Sequence, residues 1–368
     1  MRAARAQPDA PTERLSAIES LATPTTGELP PAKLDATQDP VSVVGKVLLG
    51  RYEILGVLGR GGMGVVFEAR DRTLDRVVVV KVLSPNLAGD TRAAQRLVRE
   101  ARVAARVNHP AIVSILDVGL LETGEPCLVM ERLVGRDLAD CIGRWGKLSV
   151  DATLVILEPI AAALEQLHAV GIVHRDVKPA NIFVLNGLPM RVKLVDFGLA
   201  LLDDAGYARL TQRGVIVGTP EYFAPEIARG APATASADIY SLASVAYEML
   251  SGKPPFEGEP LDILAAKTQR LPPRLDALGA TSELVARVIE RAMSMRPNDR
   301  PIRATHFVRE FAAARDASAA IATTTAEMAH GGAEAPITLP VHPTLMRGAM
   351  VFLGFVVVAI AALAAWVH

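Results

Sequence analysis

The chain contains little cysteine, few aromatic residues and almost no net charge. Cys127 and Cys141 are its two cysteines, aromatic residues make up 4% of the 368 residues, and the formal net charge is −1. Two isolated cysteines form neither a disulfide framework nor the ligand pattern of a structural metal site. This favours a reducing compartment and predicts that both thiols fill core volume. A near-neutral chain also lacks the basic excess of nucleic-acid-binding proteins, so we expect no nucleic-acid partner.

The two ends of the chain lack the periodic hydrophobic pattern of a folded domain. Residues 1–46 are rich in alanine, proline, threonine and charge, and they contain no apolar core of a signal peptide. We predict a disordered tail there, with no segment at this end that would export the rest of the chain. Residues 313–346 become rich in alanine, threonine, proline and glycine, and they are predicted to form a flexible linker.

An uncharged apolar run comes after the predicted linker. It extends from Ala349 to Val367 and has the length of one bilayer crossing. A buried helix of a soluble domain is the alternative, although so uniform a surface seldom suits a globular protein. Arg347 before the run and Trp366 near its far end agree weakly with a cytoplasmic positive flank and an aromatic anchor. We predict a transmembrane helix over residues 348–367.

Between these ends, the pattern of apolar residues predicts a small β-rich lobe followed by a larger helical one. With 50% hydrophobic residues, the chain can bury a large core of this kind. Alternating or continuous apolar runs predict strands in the segments RYEILGVLG, GVVFEARD, RVVVVKVL, AIVSILDVGLL and PCLVMERL. Helical spacing predicts helices in the segments TRAAQRLVREARVAARV, DATLVILEPIAAALEQLHAV and DIYSLASVAYEMLSG. On the first helix, the predicted apolar face carries Ala93, Leu97, Glu100 and Ala104.

A glycine-rich turn joins the first two predicted strands. Gly59, Gly61 and Gly64 have G-x-G-x-x-G spacing, which alone is a weak signal. In a dinucleotide-binding fold this turn would open a helix and precede an acidic residue, but here a strand and Lys81 come next. Glycines in such a hairpin let backbone N–H groups approach phosphates, because no Cβ stands in the way. An ordinary glycine-rich hairpin remains the alternative.

Two charged residues interrupt apolar surroundings. Lys81 stands in a run of valines, and Glu100 stands in the apolar stripe of the next helix. Each charge would be costly to bury alone, so both side chains can extend to solvent. If they face the same interior, they can instead form an ion pair that holds the lysine towards a phosphate oxygen.

A dense polar passage lies between two apolar runs in IVHRDVKPANIFVL, residues 172–185. It is either a polar surface loop or a site where polar groups are needed for chemistry. The runs on both sides of Asn186-Gly187 predict a hairpin, and pairing about the centre of this turn places Asn181 opposite Asp196. A carbonyl and a carboxylate oxygen side by side suit Mg²⁺ carried on a nucleotide.

These motifs, taken in order, resemble the eukaryotic-like (Hanks-type) serine/threonine protein kinases of bacteria. The resemblance covers residues 52–311, and the segments that carry it are GRGGMG, VVVVK, Glu100, HRDVKPAN, DFG, GTPEYFAPE, DIYS and Arg300. All of them in this order form a highly specific signal. The resemblance implies an α+β, two-lobed protein kinase fold with an N-lobe over residues 47–133 and a C-lobe over residues 134–312, to which the apolar run adds one transmembrane helix.

The resemblance implies roles for the phosphate- and metal-binding residues. The loop that would cover the ATP phosphates consists of Gly59, Arg60, Gly61, Gly62, Met63 and Gly64. Lys81 would contact the α- and β-phosphates and pair with Glu100, while Asn181 and Asp196 would hold Mg²⁺, with Mn²⁺ as an alternative ion.

The same resemblance implies which residues act on the transferred group. Asp176 would orient the substrate hydroxyl and accept its proton, and Lys178 would offset charge on the transferring phosphoryl. Lysine two positions after the aspartate resembles serine/threonine kinases more than tyrosine kinases.

Around the adenine, the family pattern implies an apolar sandwich with a few backbone contacts. The sandwich residues are Leu58, Val66, Val79, Met130 and Phe183. Met130 would be the gatekeeper, and Glu131 and Leu133 would supply backbone hydrogen bonds at the hinge. Val79 stands where alanine is usual, and its bulk above the adenine would weaken nucleotide binding.

Regulatory and structural residues are implied by the same resemblance. Thr211 is the candidate for activation-loop phosphorylation, and Arg175 would grip the phosphate bidentately. Arg213 stands where related kinases often have a second threonine, which favours one phosphate switch. Thr219 would shape the substrate groove.

Two further contacts implied by the resemblance are structural. Glu226 would pair with Arg300, and Asp238 would anchor the backbone of the catalytic loop.

The resemblance therefore predicts an ATP-dependent, non-specific serine/threonine protein kinase that autophosphorylates its activation loop. It would act in membrane-associated bacterial signalling, as a single-pass protein of the cell inner membrane with its kinase domain in the cytoplasm. The expected partners are ATP, protein substrates and the membrane, and a homodimer would allow trans-autophosphorylation. The alternative is a membrane-tethered pseudokinase that serves as a nucleotide-binding scaffold. Intact Lys81, Asp176, Asn181 and Asp196 argue against that alternative.

Overall fold

The computed structural model describes residues 43–61, 64–84, 91–187, 190–196 and 219–331. Within its helices, the side chains of residues 91–93, 96–97, 100 and 325–331 are not described. The chain divides into two units, residues 1–320 and 321–368, and of the second unit only a helical stretch that ends at Gly331 is described.

Six antiparallel strands form the sheet in the first part of the chain, in the spatial order β1-β2-β3-β4-β6-β5. Their bounds are β1 Val47–Leu48, β2 Tyr52–Gly61, β3 Gly64–Asp71, β4 Arg76–Leu83, β5 Ile115–Leu120 and β6 Pro126–Glu131. The strands arise where the sequence alternates: in β3, Val65, Phe67 and Ala69 are buried on one face. Gly61 pairs with Gly64, so the predicted strand–glycine turn–strand is confirmed.

Helix α1 (Thr91–Ala104) packs on β5 and β6. Its buried residues, where side chains are described, are Ala94, Val98, Ala101 and Ala104. Only Ala104 belongs to the face that the sequence predicts. The other three predicted positions, residues 93, 97 and 100, lie outside the described side chains.

The predicted β-rich part followed by a helical part is confirmed. The helices after the sheet are α2 Leu138–Trp145, α3 Val150–Ala169, α4 Pro225–Ala228, α5 Ala235–Ser251, α6 Pro260–Gln269, α7 Glu283–Ala292 and α8 Ala304–Gly331. Helix α5 is buried on all sides, and its alanines and serines let neighbouring helices approach closely. Ser149 caps α3 by accepting a hydrogen bond from the Ala152 N–H. Both cysteines are buried and free, as expected.

A second, three-stranded antiparallel sheet lies at the start of the helical part, with strands β7 (Gly135–Asp137), β8 (Ile182–Leu185) and β9 (Arg191–Leu194). The predicted register of its β8–β9 hairpin is wrong by one residue. Ile182 pairs with Leu194 rather than with Val195, and Asn181 consequently faces Val195 rather than Asp196. The cause is the third strand.

Strand β7 binds Asn186, a residue of the predicted turn. Gly135 of β7 pairs with Leu185, and the Asn186 N–H donates to the Val134 carbonyl at 3.0 Å. Asn186 therefore continues the β7–β8 pairing instead of facing Arg191. This leaves residues 186–190 as the connection of the hairpin.

Within the described part of the chain, no helix combines the length and apolar character needed to cross a bilayer. The predicted transmembrane segment, residues 348–367, lies outside that part.

Candidate active site

The structure pairs Lys81 with Asp196. Lys81 lies in β4 opposite Val66 of β3. Because alternate side chains of a strand face opposite sides, Val80 and Val82 enter the core of the small sheet, whereas Lys81 lies on the other face. Lys81 Nζ forms an ion pair with Asp196 Oδ1 just beyond the end of β9, and 8% of the Lys81 side chain is exposed. The six-stranded sheet and the β8–β9 hairpin therefore meet through these two charges.

The predicted pair between Lys81 and Glu100 stays a prediction. Glu100 lies in α1, but its side chain is outside the described residues.

Asp176 is the centre of a second buried cluster. Asp176 is 5% exposed. Its Oδ2 accepts a hydrogen bond from Asn181 Nδ2 at 2.8 Å and lies 2.9 Å from Lys178 Nζ. The Asn181 amide also donates to the Asp176 carbonyl at 2.7 Å. Burial raises the pKa of Asp176, while the Lys178 ammonium acts in the opposite direction. A carboxylate held in this way has a fixed orientation and an oxygen that can accept a proton.

Backbone hydrogen bonds join the two clusters. The Val195 N–H donates to the Asn181 carbonyl at 2.8 Å, and the His174 ring nitrogen Nε2 lies 3.3 Å from the Val195 carbonyl oxygen. Asp196 is the next residue, with a φ of +67° that turns the chain out of the strand direction. The hairpin thus brings the Lys81–Asp196 pair and the Asp176–Lys178–Asn181 cluster to one end of β8 and β9.

The oxygen atoms of Asn181 and Asp196 suit a magnesium ion. The Asn181 Nδ2 is engaged with Asp176, so its amide oxygen is the atom left to act as a ligand. Mg²⁺ takes one or two protein oxygens and completes its shell with phosphates and water. Among the described residues, no three His, Cys, Asp or Glu side chains group closely enough to hold a metal by themselves. The donor set fits an ion that arrives with a nucleotide.

Asp238 fixes the backbone of the loop that carries Asp176. Its Oδ2 accepts from the His174 N–H at 2.8 Å, and its Oδ1 accepts from the Arg175 N–H at 2.9 Å. His168, at the end of α3, contacts Asp238 Oδ2 through Nε2 at 2.7 Å. Arg175 has a φ of +67°, a backbone conformation that needs such support in a residue other than glycine.

Glu226 and Arg300 form a bidentate ion pair. Arg300 Nη1 and Nη2 each donate to a Glu226 carboxylate oxygen at 2.7 Å, and the Arg300 side chain is fully buried. Arg300 Nε also donates to the Ser294 carbonyl at 2.8 Å. This pair ties the start of α4 to the segment after α7.

One face of the six-stranded sheet collects the predicted adenine-pocket residues. Val66 pairs with Lys81, and Val79 pairs with Met130, so these four side chains lie on the same face. Phe183 lies on β8, directly opposite Lys193 of β9. Leu133 is partly buried against the large core, and the Leu58 side chain is exposed.

The described glycine-loop residues before the turn are exposed to solvent. Gly59, Arg60 and Gly61 are exposed, and Gly62 and Met63 lie outside the described residues. Gly64 has a φ of +138°, and a Cβ there would collide with the Val82 carbonyl oxygen. Position 64 therefore requires glycine for close strand approach.

At the predicted hinge, the Glu131 side chain is engaged. Its Oε1 accepts from the Ser114 N–H and from Lys193 Nζ, each at 2.7 Å. Burial acts to raise the pKa of Glu131, but these two hydrogen bonds lower it overall. Lys193 also donates to the Ile112 carbonyl at 3.0 Å, so it links the hinge to β9.

Lys178 also contacts Thr219, the residue predicted to shape the substrate groove. Lys178 Nζ donates to Thr219 Oγ1 at 3.0 Å, in addition to its contact with Asp176. Thr211 and Arg213 lie outside the described residues, so no contact of Arg175 with this part of the chain is described.

Sequence reasoning missed His168 and Lys193 as supports of the site. His168 lies six residues before His174, at the end of a predicted helix, where a histidine is equally consistent with a solvated helix end. Lys193 occupies a strand position that alternation alone assigns to solvent.

The sequence model of the protein kinase domain family matches residues 52–310 of the chain. Among curated proteins, the serine/threonine-protein kinase Pkn3 of Myxococcus xanthus is 39% identical over 288 residues, which are 75% of this chain and 52% of that protein. The serine/threonine-protein kinase PknA of Mycobacterium tuberculosis is 43% identical over 234 residues, which are 62% of this chain and 53% of that protein. The chain thus spans about half the length of these two relatives.

Among solved structures, the PknI kinase domain of M. tuberculosis has a TM-score of 0.61 and 29% sequence identity. The match covers 74% of this chain and 98% of that domain.

Proposed function

The chain belongs to the protein kinase family, and from that membership we propose that it transfers the γ-phosphoryl group of Mg-ATP to serine and threonine hydroxyls of proteins. The observation that carries the proposal is the grouping of Asp176, Lys178 and Asn181 at the same end of the hairpin as the Lys81–Asp196 pair. These are the residues that phosphoryl transfer needs for positioning and charge stabilisation.

Each side chain has a part in the transfer that its geometry supports. Asp176 orients the substrate hydroxyl and takes its proton while the hydroxyl oxygen bonds to the γ-phosphorus and the bond to the leaving ADP oxygen breaks. Lys178, 2.9 Å from Asp176, offsets negative charge on the phosphoryl oxygens in flight. Lys81 holds the α- and β-phosphates. A bound Mg²⁺ would neutralise phosphate charge, and Asn181 and Asp196 are the residues that would hold it.

Lys178 stands two positions after Asp176, as in serine/threonine kinases, and this favours a serine or threonine hydroxyl as acceptor. Its contact with Thr219 connects the loop that carries Asp176 to the segment that begins at Thr219, so the acceptor site and the base are held together. The names of the relatives, which are serine/threonine-protein kinases, agree with this choice.

A transfer assay separates this function from that of a nucleotide-binding scaffold. The purified chain is incubated with γ-labelled ATP, Mg²⁺ and a generic basic protein, beside the Asp176→Asn variant. We expect the parent to label the protein, and the rate of the variant to be lower by a factor of about 100 at least. Equal labelling by parent and variant, or no labelling by either, would favour the scaffold.

We further propose that residues 348–367 place this activity at the cytoplasmic face of the bacterial inner membrane. The support is the uncharged run from Ala349 to Val367, preceded by Arg347. The full chain is expected in the membrane fraction and, after deletion of residues 348–367, in the soluble fraction. An unchanged distribution after the deletion would contradict membrane anchoring.

We also propose that the kinase phosphorylates its own activation segment at Thr211, with one copy acting on another. Arg175, next to Asp176, is the residue positioned in sequence to meet the new phosphate.

A further inference from the structure

Lys267 of α6 is a fully buried lysine outside the site described above. Its relative exposure is 0%. Its Nζ donates to the Glu221 carbonyl at 2.7 Å and to the Tyr240 hydroxyl at 3.4 Å. The same nitrogen lies 4.9 Å from the ring centroids of both Tyr240 and Phe256. The side chain thus extends from α6, past the rings of Tyr240 and Phe256, to the backbone carbonyl of Glu221.

Burying the Lys267 ammonium group costs folding free energy, and its contacts offset only part of that cost. Burial lowers the pKa of Lys267 to about 7, while the Glu221 charge acts in the opposite direction. Two ring faces and a hydrogen bond to a carbonyl only partly replace the lost hydration. A methionine or leucine could fill the same volume without that cost. The feature that an apolar side chain could not supply is the hydrogen bond to the Glu221 carbonyl.

The turn that Lys267 holds, the 3-10 turn Pro220–Tyr222, comes directly after Thr219. Thr219 accepts from Lys178, which in turn contacts Asp176. The turn is also held on its far side, where Ser241 Oγ donates to the Tyr222 carbonyl at 2.8 Å and the Tyr222 hydroxyl donates to Glu248 at 2.5 Å. A shift of the turn would therefore move Thr219 relative to Asp176.

Helix α6 is fastened to this segment at a second point. Arg229, just after α4, donates to the Thr268 carbonyl at 3.0 Å on the protein surface. Lys267 and Arg229 thus bind α6 to the two ends of the stretch from Glu221 to Arg229, one from inside and one from outside.

We propose that Lys267 is a positioning residue for the protein-substrate groove. It fixes the Glu221 carbonyl, and through the turn it fixes the Thr219 hydroxyl beside Lys178. The inference rests on the proposed phosphotransfer function, because a substrate groove is meaningful only in an enzyme that acts on proteins. It assigns to α6 an effect on protein-substrate binding that is separate from nucleotide binding.

Steady-state kinetics of the full chain test this role. Lys267→Met keeps the length of the side chain but removes the donor, and Lys253→Met is the matched control because that lysine side chain is 71% exposed and contacts Glu257. With a basic protein as acceptor, Lys267→Met is expected to raise KM for the protein about tenfold, equal to about 1.4 kcal/mol. KM for ATP and kcat are expected to stay within about twofold of the parent, and Lys253→Met is expected to change none of the three.

Hydrogen exchange supplies a readout that does not depend on activity. In Lys267→Met, the backbone amides within residues 219–226, other than those of Pro220 and Pro225, which have no N–H, are expected to exchange faster, while those of β2 and β3 keep the rates of the parent. If Lys267→Met fails to fold, Lys267→Gln, which retains a shorter donor, replaces it in both measurements and should show the same split with a smaller rise in KM.

Three results would overturn the proposal. An unchanged KM for the protein acceptor would show that the turn needs no anchor. A parallel loss of kcat and of ATP affinity would show general damage to the fold. A parent that transfers no label would remove the proposed function itself, and this outcome is distinguished from the others because it appears before any variant is made.

Discussion

Lys81 in β4 and Asp196 beyond β9 form an ion pair that joins the six-stranded sheet to the small hairpin of the helical part. Each partner is also the candidate for a different part of Mg-ATP: the lysine for phosphate oxygens and the aspartate for the ion. In the structure the two charges compensate each other. Nucleotide binding would exchange this contact for contacts to the ligand.

The difference in stability between the parent and the Asp176→Asn variant should depend on pH. Burial raises the folded-state pKa of Asp176 above its ordinary value of 3.8, so the ionised form is unfavourable in the folded protein. The favourable contribution of the protonated carboxyl is complete below the ordinary value and is lost as pH rises through the folded-state pKa. At neutral pH the variant, which has no charge, should therefore unfold at a higher temperature than the parent.

Melting curves between neutral and acidic pH check this expectation. The difference in Tm between variant and parent should shrink as the pH falls towards 3.8. Asp75→Asn is the control, because the Asp75 side chain is 84% exposed. A variant that melts below the parent at neutral pH would show that the ionised Asp176 stabilises the fold.

Loss of the Glu226–Arg300 pair should strongly destabilise the helical part. Arg300→Leu leaves the Glu226 carboxylate buried without its bidentate partner, which costs about 3–5 kcal/mol of unfolding free energy. Urea unfolding followed by circular dichroism measures the loss. Arg287→Leu breaks an exposed pair with Glu283 and should cost about 0.5 kcal/mol or less. Similar losses for the two variants would contradict the weight given to the buried pair.

An alanine at position 64 should weaken nucleotide binding. Gly64 has a φ of +138°, and a Cβ there meets the Val82 backbone, so Gly64→Ala must distort the glycine hairpin. We expect KM for ATP to rise about tenfold, from strain of roughly 1–3 kcal/mol. Gly56→Ala, in the same strand pair but with open space around its Cα, is the control. The two variants should differ clearly, and equal KM values would argue against a tight fit at position 64.

Phosphorylation of Thr211 should raise activity. Thr211→Ala is expected to lower the transfer rate about tenfold, because Arg175 then has no phosphate to bind. Mass spectrometry of the active chain should find phosphate on Thr211. The Asp176→Asn variant should gain it only when mixed with the parent, which tests action of one copy on another. Full activity of Thr211→Ala would eliminate this switch.

The strands, helices and glycine hairpin could be predicted because the local spacing of apolar residues and glycines indicates them. Tyr52–Gly61, Gly64–Asp71 and Arg76–Leu83 lie where apolar runs and glycines placed them. Helix α3 forms even though Pro159 lies inside it, since its apolar positions still match the helical period. Asp176, Asn181 and Asp196 could be selected because the segments HRDVKPAN and DFG resemble those of protein kinases.

The features that could not be predicted depend on contacts between distant segments. The β8–β9 register depends on the hydrogen bond between Asn186 and Val134, which no pattern within the hairpin reveals. Lys267 lies in DILAAKTQR, where a lysine is typical of a solvated helix face. Its burial is decided by Tyr240 and Phe256, which come from other parts of the chain.

We propose that Lys81, Asp176, Asn181 and Asp196 act together on one magnesium–nucleotide complex. Calorimetric titration with ADP, with and without Mg²⁺, combined with label transfer from ATP, tests it in the parent, Asp196→Asn and Asp176→Asn. We predict that Mg²⁺ strengthens ADP binding to the parent and to Asp176→Asn but not to Asp196→Asn, and that both variants lose transfer. Transfer at the parent's rate by either variant, or equal Mg²⁺ dependence in all three proteins, would contradict the claim.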